Sequence, residues 1–504
     1  MQYEAVIGLE VHAELETRSK MFCACPVVDT TQAAPNSAVC PVCAGMPGTL
    51  PVLNQKAVEY GLRVALALEC QVAPLSIFAR KNYFYPDLPK GYQISQYEQP
   101  LARNGRITIL TTQGEKVIHI RRVHLEEDAG KLTHVEPAPG DHKGRPYTLV
   151  DLNRAGVPLL EIVTEPDFHS SEEVRAYAEA LRAILRYLGV NSGDMQKGVL
   201  RIEPNISLRP AVEAGLPVLV PQAQVKPVSL GTRVEIKNLN SFRALERSVA
   251  YEIQHQAELL EAGKAVQQVT LGWDEAKETT FVQRVKEGED DYRYFPEPDL
   301  PPLTPNKGWV AQIRASLPEL PYARFQRLRK QYDLSNYTAR LLVEEKAIAD
   351  YFEQAVAAEP SVPAKSIANW IGGELFSLMH QTRVDAAGLR VQPEALAKLV
   401  RIVSKGEINQ DTARKVLAEM FMSGEGANEI VKKRGLQQVS DAEAIARMVT
   451  QALDENPNEV AAYLSGKTGV VNFLFGQVMK KAQGKANPQI VRRELARQLD
   501  IHKQ

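Results

Sequence analysis

An alternation of apolar and polar residues begins at Glu4 and predicts a β-strand that extends to Leu15. Successive side chains of a strand point to opposite faces. One face then carries only apolar side chains, those of Leu9, Val11, Ala13 and Leu15. The other face carries Glu10, His12 and Glu14. A strand that buries its apolar side would present these three groups as the floor of a polar cleft, and a plain solvated strand face is the alternative interpretation.

Further along the chain, the hydrophobic spacing changes to that of helices and hairpins. Residues 54–69 have helical spacing with Asn54 as N-cap, and a capping box of Ser170 and Glu173 opens a helix to about Leu188. β-branched residues on both sides of Gln113-Gly114 predict a hairpin over 106–123. Near residue 234 a short strand leads through a polar turn into a helix, with Ser241 near its N-cap.

The helical pattern takes over almost completely in the second part of the chain. Residues 287–307 are first acidic and then dense in proline, which is typical of a linker. At 504 residues, two to four domains are expected. We therefore predict an α+β protein with a sheet-containing domain over 1–294, a helical domain over 295–405 and a helical tail domain over 406–504.

Composition and charge limit the function classes. The net charge is −1, so nucleic acid would have to bind to local basic patches. No apolar run approaches the roughly 20 residues of a membrane span, and the first residues lack a secretory-signal pattern. These features predict a cytoplasmic protein without a membrane partner.

Four of the five cysteines form two close pairs, Cys23/Cys25 and Cys40/Cys43. In a reducing compartment, thiolates at this spacing are typical of a tetrahedral structural zinc site. Cys70 follows an apolar helical pattern and is expected in the core.

Three further groups of residues are candidates for binding. Glu126, Glu127 and Asp128 adjoin a glycine, and other carboxylates end nearby strands, which suits a hard cation but also an ordinary solvated turn. Residues 79–101 mix tyrosines with bases, a composition typical of nucleotide stacking or of a packed aromatic loop. The run Lys432-Lys433-Arg434 suits a phosphate backbone, or a solvated helix face.

Eight motifs resemble those of the GatB family, the B subunits of tRNA-dependent amidotransferases, and they occur in the same order as in that family. They are IGLEVHAEL, FCACP…CPVCAGMPGTLPVLN, YPDLPKGYQISQYEQP, HLEEDAGKL, DLNRAGVPLLEIVTEPD, RIEPNISLRP, EIKNLNSFRALERS and DYRYFPEPDLPPL. The resemblance covers essentially the whole chain, and the C-terminal residues resemble the tail domain of that family.

The resemblance implies a ligase of three different subunits that converts mischarged Glu-tRNA(Gln) or Asp-tRNA(Asn) into Gln-tRNA(Gln) or Asn-tRNA(Asn). The B subunit of that family binds the tRNA and activates the side-chain carboxyl with ATP and Mg²⁺. The amidase (A) subunit supplies ammonia from glutamine, and the small (C) subunit completes the complex. For the fold, the resemblance implies a cradle domain on an antiparallel sheet, a helical domain and a tail that binds the tRNA body.

Carried onto this sequence, the resemblance implies a magnesium shell and a catalytic role for Glu10, His12, Glu126 and Glu203, with Glu127 and Glu161 as further metal candidates. The groups implied to face the phosphates or the tRNA end are Arg154, Arg201, Lys237, Asn238 and Asn240. Tyr83 and Tyr92 would stack on the terminal adenosine, and Lys432, Lys433 and Arg434 would contact the tRNA body.

The sequence also departs from the family pattern. It has Gln196 where many relatives have a carboxylate, and Glu203 where they often have aspartate. Nothing in it resembles the Gly/Ser-rich stretch of an amidase, so ammonia must come from a partner. The alternative hypothesis is a non-catalytic, zinc-stapled scaffold that only binds tRNA.

Overall fold

The computed structural model describes residues 3–136, 145–211, 231–285, 292–436, 442–482 and 486–502. The chain divides into two compact units, Met1–Tyr322 and Ala323–Gln504. The predicted boundaries differ from this division, because 294/295 lies within the first unit and 405/406 within the second, and the division into three domains stays a prediction.

Within the described residues, all strands lie in the first unit. They are β1 Tyr3–Glu14, β2 Gln71–Val72, β3 Ala79–Asn82, β4 Tyr92–Ser95, β5 Ala102–Thr111, β6 Gly114–Glu127, β7 Lys131–Val135, β8 Tyr147–Asp151, β9 Pro158–Thr164, β10 Leu200–Pro210, β11 Val234–Lys237, β12 Val269–Asp274, β13 Thr279–Val285 and β14 Phe295–Pro296. Its helices are α1 Gln55–Ala67, α2 Ser171–Leu188, α3 Phe242–Glu261 and α4 Lys307–Ala315.

Among the described residues, nine strands form one sheet in the order β13-β12-β11-β10-β1-β9-β6-β5-β2. Every pairing in it is antiparallel except the parallel pair β11–β12. The first strand of the chain, β1, lies at the centre between β10 and β9. Two small sheets, β14-β3-β4 and β7-β8, complete the unit. The predicted α+β class is confirmed.

Strand alternation separates the two faces of the central sheet. Leu9, Val11 and Ala13 are fully buried and join the hydrophobic core with the apolar faces of α1, α2 and α3. Cys70 lies in the same core. The polar side chains of β1 therefore lie on the face that the three helices leave uncovered, as predicted.

The predicted helix starts are confirmed by their capping hydrogen bonds. The side chain of Asn54 accepts from Lys56 N and Ala57 N, and Ser241 accepts from Ala244 N. Ser170 accepts from Glu173 N, but Glu173 accepts from His169 N instead of from Ser170 N. The hairpin is present, with its turn one residue earlier than predicted, because Thr111 pairs with Gly114.

The helices from Pro321 onward are α5 Pro321–Tyr332, α6 Asn336–Val343, α7 Lys346–Ala358, α8 Ala364–Trp370, α9 Phe376–Thr382, α10 Pro393–Ser404, α11 Gln410–Ser423, α12 Ala427–Lys433, α13 Ala442–Asp454, α14 Pro457–Leu464, α15 Val470–Lys481 and α16 Pro488–Ile501. A π-helical segment, Ile371–Leu375, joins α8 to α9. Helices α13–α16 surround a hydrophobic core of their own. In the part of the chain that the structure describes, no helix has the length and apolar character needed to cross a membrane.

Candidate active site

The polar face of the central sheet carries the candidate site. The strand register places Glu10 of β1 opposite Glu203 of β10, and His12 opposite Arg201. On its other side His12 lies opposite Glu161 of β9, which in turn lies opposite His124 of β6. Cross-strand neighbours on one face lie close enough to interact. The register therefore forms a row of imidazoles and carboxylates across the sheet.

We call His12, His124, Glu126 and Glu161 the histidine–carboxylate cluster. Glu161 Oε2 lies 3.1 Å from His124 Nε2 and 3.5 Å from His12 Nε2. Glu126 approaches both rings at 3.8 and 3.9 Å and accepts a 3.0 Å hydrogen bond from Ser95. His124, Glu126 and Glu161 are buried, and His12 is nearly so. Nδ1 of each imidazole is buried without a hydrogen-bond partner among the described residues.

The cluster shifts the pKa values of its own members. Burial disfavours the charged form of His12, but the hydrogen bond and the charge of Glu161 outweigh burial and raise its pKa to about 9. The pKa of His124 is also raised, because Glu161 and Glu126 outweigh its burial. Burial raises the pKa of Glu161, but the two histidines outweigh it and bring this pKa well below its ordinary value. The carboxylates of Glu161 and Glu126 therefore favour the protonated form of both imidazoles.

Glu10, Glu203, Glu235 and Lys237 form a second group, the glutamate–lysine cluster. Lys237 Nζ lies 2.8 Å from Glu203 and 3.3 Å from Glu235. Glu10 accepts a 3.2 Å hydrogen bond from Asn205. Burial, with repulsion from Glu161 and Glu203, raises the pKa of Glu10. Burial opposes the charge of Lys237, but Glu203 and Glu235 outweigh it and raise the pKa of Lys237.

The four residues predicted as the main magnesium shell are thus divided between two clusters. His12 and Glu126 belong to the first, and Glu10 and Glu203 to the second. Potential ligand atoms of His12, Glu126 and Glu161 lie within 4.8 Å of one another, as do those of Glu10, Glu203 and Glu235. Either set has the oxygen-rich composition that a hard cation prefers, and the metal role of these residues stays a prediction.

His124 and Glu235 are the members of these clusters that sequence reasoning missed. Both have a sequence signal, because His124 lies two residues before Glu126 and Glu235 lies between the apolar Val234 and Ile236. Strand alternation puts each on the polar face.

Glu127, the remaining metal candidate, points elsewhere. It forms a close ion pair with Lys90 and accepts a 2.9 Å hydrogen bond from Ile94 N. With Lys90 and Tyr92 it lines a cavity of about 190 Å³ that extends to Cys23 and Cys43. Glu127 is therefore already paired, and outside both clusters.

Two predicted binding residues, both arginines, are engaged in structural contacts. Arg201 forms a 3.0 Å ion pair with Asp128. Arg154 lies 3.7 Å from Asp128 and donates hydrogen bonds to the carbonyl oxygens of Ala129 and Gly130. Both arginines thereby hold the chain that follows Glu126 and Glu127.

The predicted substrate-binding turn after β11 and the predicted stacking residues are accessible to different degrees. Asn238 and Asn240 are exposed between Lys237 and the start of α3. Tyr83 is half-buried and donates to Gln93 at 3.3 Å, and Tyr92 packs under the guanidinium of Arg80. The packed aromatic loop was the alternative interpretation, and stacking on a nucleotide stays a prediction for both tyrosines.

The cysteine pairs converge as predicted. Sulfur atoms of Cys23, Cys25, Cys40 and Cys43 lie within 4.8 Å of one another. Cys43 Sγ lies 3.8 Å from Cys40 Sγ and 4.0 Å from Cys25 Sγ. A tetrahedral ion with metal–sulfur bonds of about 2.3 Å places its sulfurs about 3.8 Å apart. The four thiols can therefore bind a metal ion with little rearrangement.

The basic run of the second unit lies at the end of α12. Arg434 pairs with Glu419 at 2.8 Å and Lys433 with Glu425 at 3.4 Å, while Lys432 is exposed with no ion pair among the described residues. Exposed pairs of this kind are weak, so all three charges stay available to a polyanion, and their tRNA contact stays a prediction.

Comparison with known proteins gives matches along most of the chain. Residues 5–311 match the family described as the GatB/GatE catalytic domain, and residues 350–499 match the GatB domain. The chain is 49% identical to the B subunit of the aspartyl/glutamyl-tRNA(Asn/Gln) amidotransferase of Moorella thermoacetica, over 99% of this chain and 100% of that protein. Its identity to the proteins of the same name is 47% in Thermodesulfovibrio yellowstonii, over 97% of this chain and 98% of that protein, and 48% in Thermomicrobium roseum, over 98% of each.

Proposed function

The chain belongs to the GatB/GatE family, and on that premise we propose that it is the component that amidates mischarged tRNA. The substrate is Glu-tRNA(Gln) or Asp-tRNA(Asn), and the product is Gln-tRNA(Gln) or Asn-tRNA(Asn). The observation that carries the proposal is the histidine–carboxylate cluster, a largely buried group of ionisable side chains on the polar face of the central sheet.

The proposed reaction has two steps. A carboxylate is a poor electrophile, so the side-chain carboxylate of the aminoacyl group first attacks the terminal phosphorus of ATP and ADP leaves. Ammonia then attacks the carbonyl carbon of this acyl phosphate, phosphate leaves with the C–O bonding electrons, and a proton is lost from nitrogen. Such phosphoryl transfer depends mainly on positioning and on neutralisation of charge.

We propose that Mg²⁺ is held by His12, Glu126 and Glu161, with Glu10 and Glu203 on the adjacent row of the sheet. When bound, Mg²⁺ supplies charge neutralisation for the phosphates. His12 would bind the cation as the neutral imidazole, the form that a metal ligand requires. Arg201 lies opposite His12 in the register and Lys237 pairs with Glu203 and Glu235, so each of the two clusters has a cation beside it that we propose to face the phosphates.

Ammonia is proposed to come from a glutamine-hydrolysing amidase (A) subunit, with the small (C) subunit in the same complex. We further propose that the complex works in the cytoplasm and that the cysteine cluster binds structural Zn²⁺. The sulfur spacing supports the zinc site, and free thiols in close pairs are typical of proteins in a reducing compartment.

The test is amidation of Glu-tRNA(Gln) and Asp-tRNA(Asn) by the reconstituted complex with ATP and glutamine. Glu10→Gln and His12→Ala are each expected to lower the rate at least about 100-fold, the scale of losing a charge-stabilising group. Glu16→Gln is the matched control, because Glu16 lies just beyond β1 and is exposed. Rates near wild type in Glu10→Gln and His12→Ala would refute the assignment.

The scaffold hypothesis makes a different prediction for the same complex. A scaffold would bind tRNA without ATP turnover that depends on Mg²⁺ and on the mischarged tRNA. The buried charges of the two clusters favour the catalytic role. Burial of charged groups lowers the free energy of unfolding, and a protein that only binds tRNA would have no use for them at this position.

A further inference from the structure

Lys20 is a lysine of the first unit with no exposed surface. It lies between the end of β1 and the first cysteine pair, and its backbone N–H donates to Cys25 O at 2.9 Å. Lysine is almost never fully buried unless its charge is paired. The position of its ammonium group therefore requires an explanation.

The contacts of the ammonium group are few and specific. Lys20 Nζ lies 3.6 Å from Cys43 Sγ and donates a 3.1 Å hydrogen bond to Leu152 O. Among the described residues it forms no ion pair with a carboxylate. The aliphatic part of its side chain packs against Gly156, where an added Cβ would lie 3.6 Å from both Lys20 Cδ and Cys43 Cβ.

The charge that balances Lys20 must then come from the sulfur cluster. A divalent cation on four thiolates leaves a net negative charge on the site. An unpaired buried ammonium is strongly unfavourable, whereas one beside such a cluster is compensated by attraction and by an N–H···S hydrogen bond.

We propose that Lys20 is the buried counter-cation of a metal ion bound by Cys23, Cys25, Cys40 and Cys43. It is a positioning residue, because it touches the ligand Cys43 rather than the metal. Groups that hydrogen-bond to metal ligands orient them and raise metal affinity, typically about 10- to 100-fold.

Lys20 also connects the cysteine cluster to a second segment of the first unit, the one that contains Leu152. Leu152, its second partner, belongs to the turn between β8 and β9. In that turn Gly156 N donates to Asp128 O, and Asp128 N donates to Val157 O. The ammonium group therefore links the cysteine cluster to the turn between β8 and β9. Backbone hydrogen bonds link that turn to Asp128, which directly follows Glu126 and Glu127.

The inference rests on the proposed metal site and not on the amidation reaction. Its test begins with metal analysis of the purified wild-type chain, where we expect one zinc ion. Absence of a metal would refute both the proposed zinc site and the role of Lys20. If zinc is present, the remaining measurements concern Lys20 alone.

The main measurement is the zinc affinity by competition with a chromogenic chelator. Lys20→Met keeps a long apolar chain without the charge, and its affinity should fall about 10- to 100-fold. Lys197→Met is the matched control, because Lys197 also bonds to the loop between the cysteine pairs, at Asp29, but is exposed and contacts no sulfur. It should bind zinc like the wild type. An unchanged affinity in folded Lys20→Met would overturn the proposal.

A second measurement needs no variant and so does not depend on whether Lys20→Met folds. Lysine methylation of the wild-type chain is followed by mass spectrometry with zinc bound and after chelation. Lys20 should react only after chelation, whereas exposed Lys56 should react equally in both states. Equal reactivity of Lys20 in the two states would contradict its role as the counter-cation.

Discussion

Several buried charges among the described residues have more than one charged partner. Glu161 lies between two histidines, and Asp128 lies between two arginines. In the second unit, buried Arg324 contacts Asp350 and Glu353. Desolvation of a single pair often costs more than its attraction returns. Several partners for each charge offset that cost, so removal of one partner should weaken the group without abolishing it.

Glu353→Gln tests this in the helical unit. Arg324 would keep Asp350, so we expect a loss of about 1–3 kcal/mol in unfolding free energy. Hydrogen exchange of α5 and α7 in the full chain measures it. Asp411→Asn, an exposed partner of Arg414, is the control and should change stability by less than about 1 kcal/mol. Equal effects of the two substitutions would contradict the argument.

The same glutamate predicts a pH dependence. Burial raises the pKa of Glu353, but the hydrogen bonds of Arg327 and Arg324 outweigh it and bring the pKa below the ordinary value of 4.5. A lowered pKa adds stability that is present above pH 4.5 and disappears as the pH falls through the folded-state value. The difference in stability between wild type and Glu353→Gln should therefore shrink below pH 4.5. A difference that stays constant from neutral pH to well below this value would be inconsistent with this origin.

At the scale of elements, local sequence predicts strands, faces and helix starts well. The two faces of β1 and the caps Asn54, Ser170 and Ser241 depend on residues close in sequence. The division of carboxylates into two clusters does not, because it follows from the register of Glu10 with Glu203 and of Glu161 with His124, which are distant in sequence. Register is fixed by long-range pairing. Sequence could therefore suggest the candidate residues but not their grouping.

One close approach between elements predicts a sensitive position. An added Cβ on Gly105 of β5 would lie 2.2 Å from Cys70 Sγ and 2.5 Å from Leu68 O. Gly105→Ala should destabilise the first unit by about 1–3 kcal/mol. Cys70→Ala in the same chain should restore only part of this loss, because the backbone contact remains.

Chemical denaturation followed by Trp273 and Trp309 fluorescence measures this effect. Gly8→Ala is the control in the same sheet, since its nearest contact would be an ordinary 3.7 Å. If Gly105→Ala were as stable as Gly8→Ala, that result would contradict the close packing of β5 against the residues that follow α1.

The loop that carries Cys23, Cys25, Cys40 and Cys43 gives a prediction about metal binding. Replacement of Cys40 and Cys43 by serine should remove the bound zinc, because two of four ligands are lost. Metal analysis of the purified chain measures this, and Cys70→Ala should retain the metal. Retention of zinc by the double variant would exclude the cysteine cluster as the site.

At the scale of the whole molecule, a chain of almost no net charge must bind tRNA through local patches. Lys432→Glu with Lys433→Glu should weaken tRNA binding and reduce its salt dependence by about one unit of slope for each lost contact. Filter binding at several salt concentrations measures both quantities. Lys398→Glu with Lys405→Glu, at exposed positions of α10 and its C-terminal end, is the control with the same charge change. Equal effects of the two double variants on tRNA binding would contradict a specific tRNA contact at the end of α12.

The central position of β1 has a consequence for biosynthesis. β1 pairs with β9, which ends at Thr164, and with β10, which ends at Pro210, so both partners exist only when translation has passed Pro210. Until then, the apolar face of Leu9, Val11 and Ala13 lacks part of the sheet and of the helices that bury it in the folded protein. Sheets closed by distant segments form slowly and are prone to aggregate meanwhile. Synthesis of this protein should therefore depend on chaperones that hold the early chain.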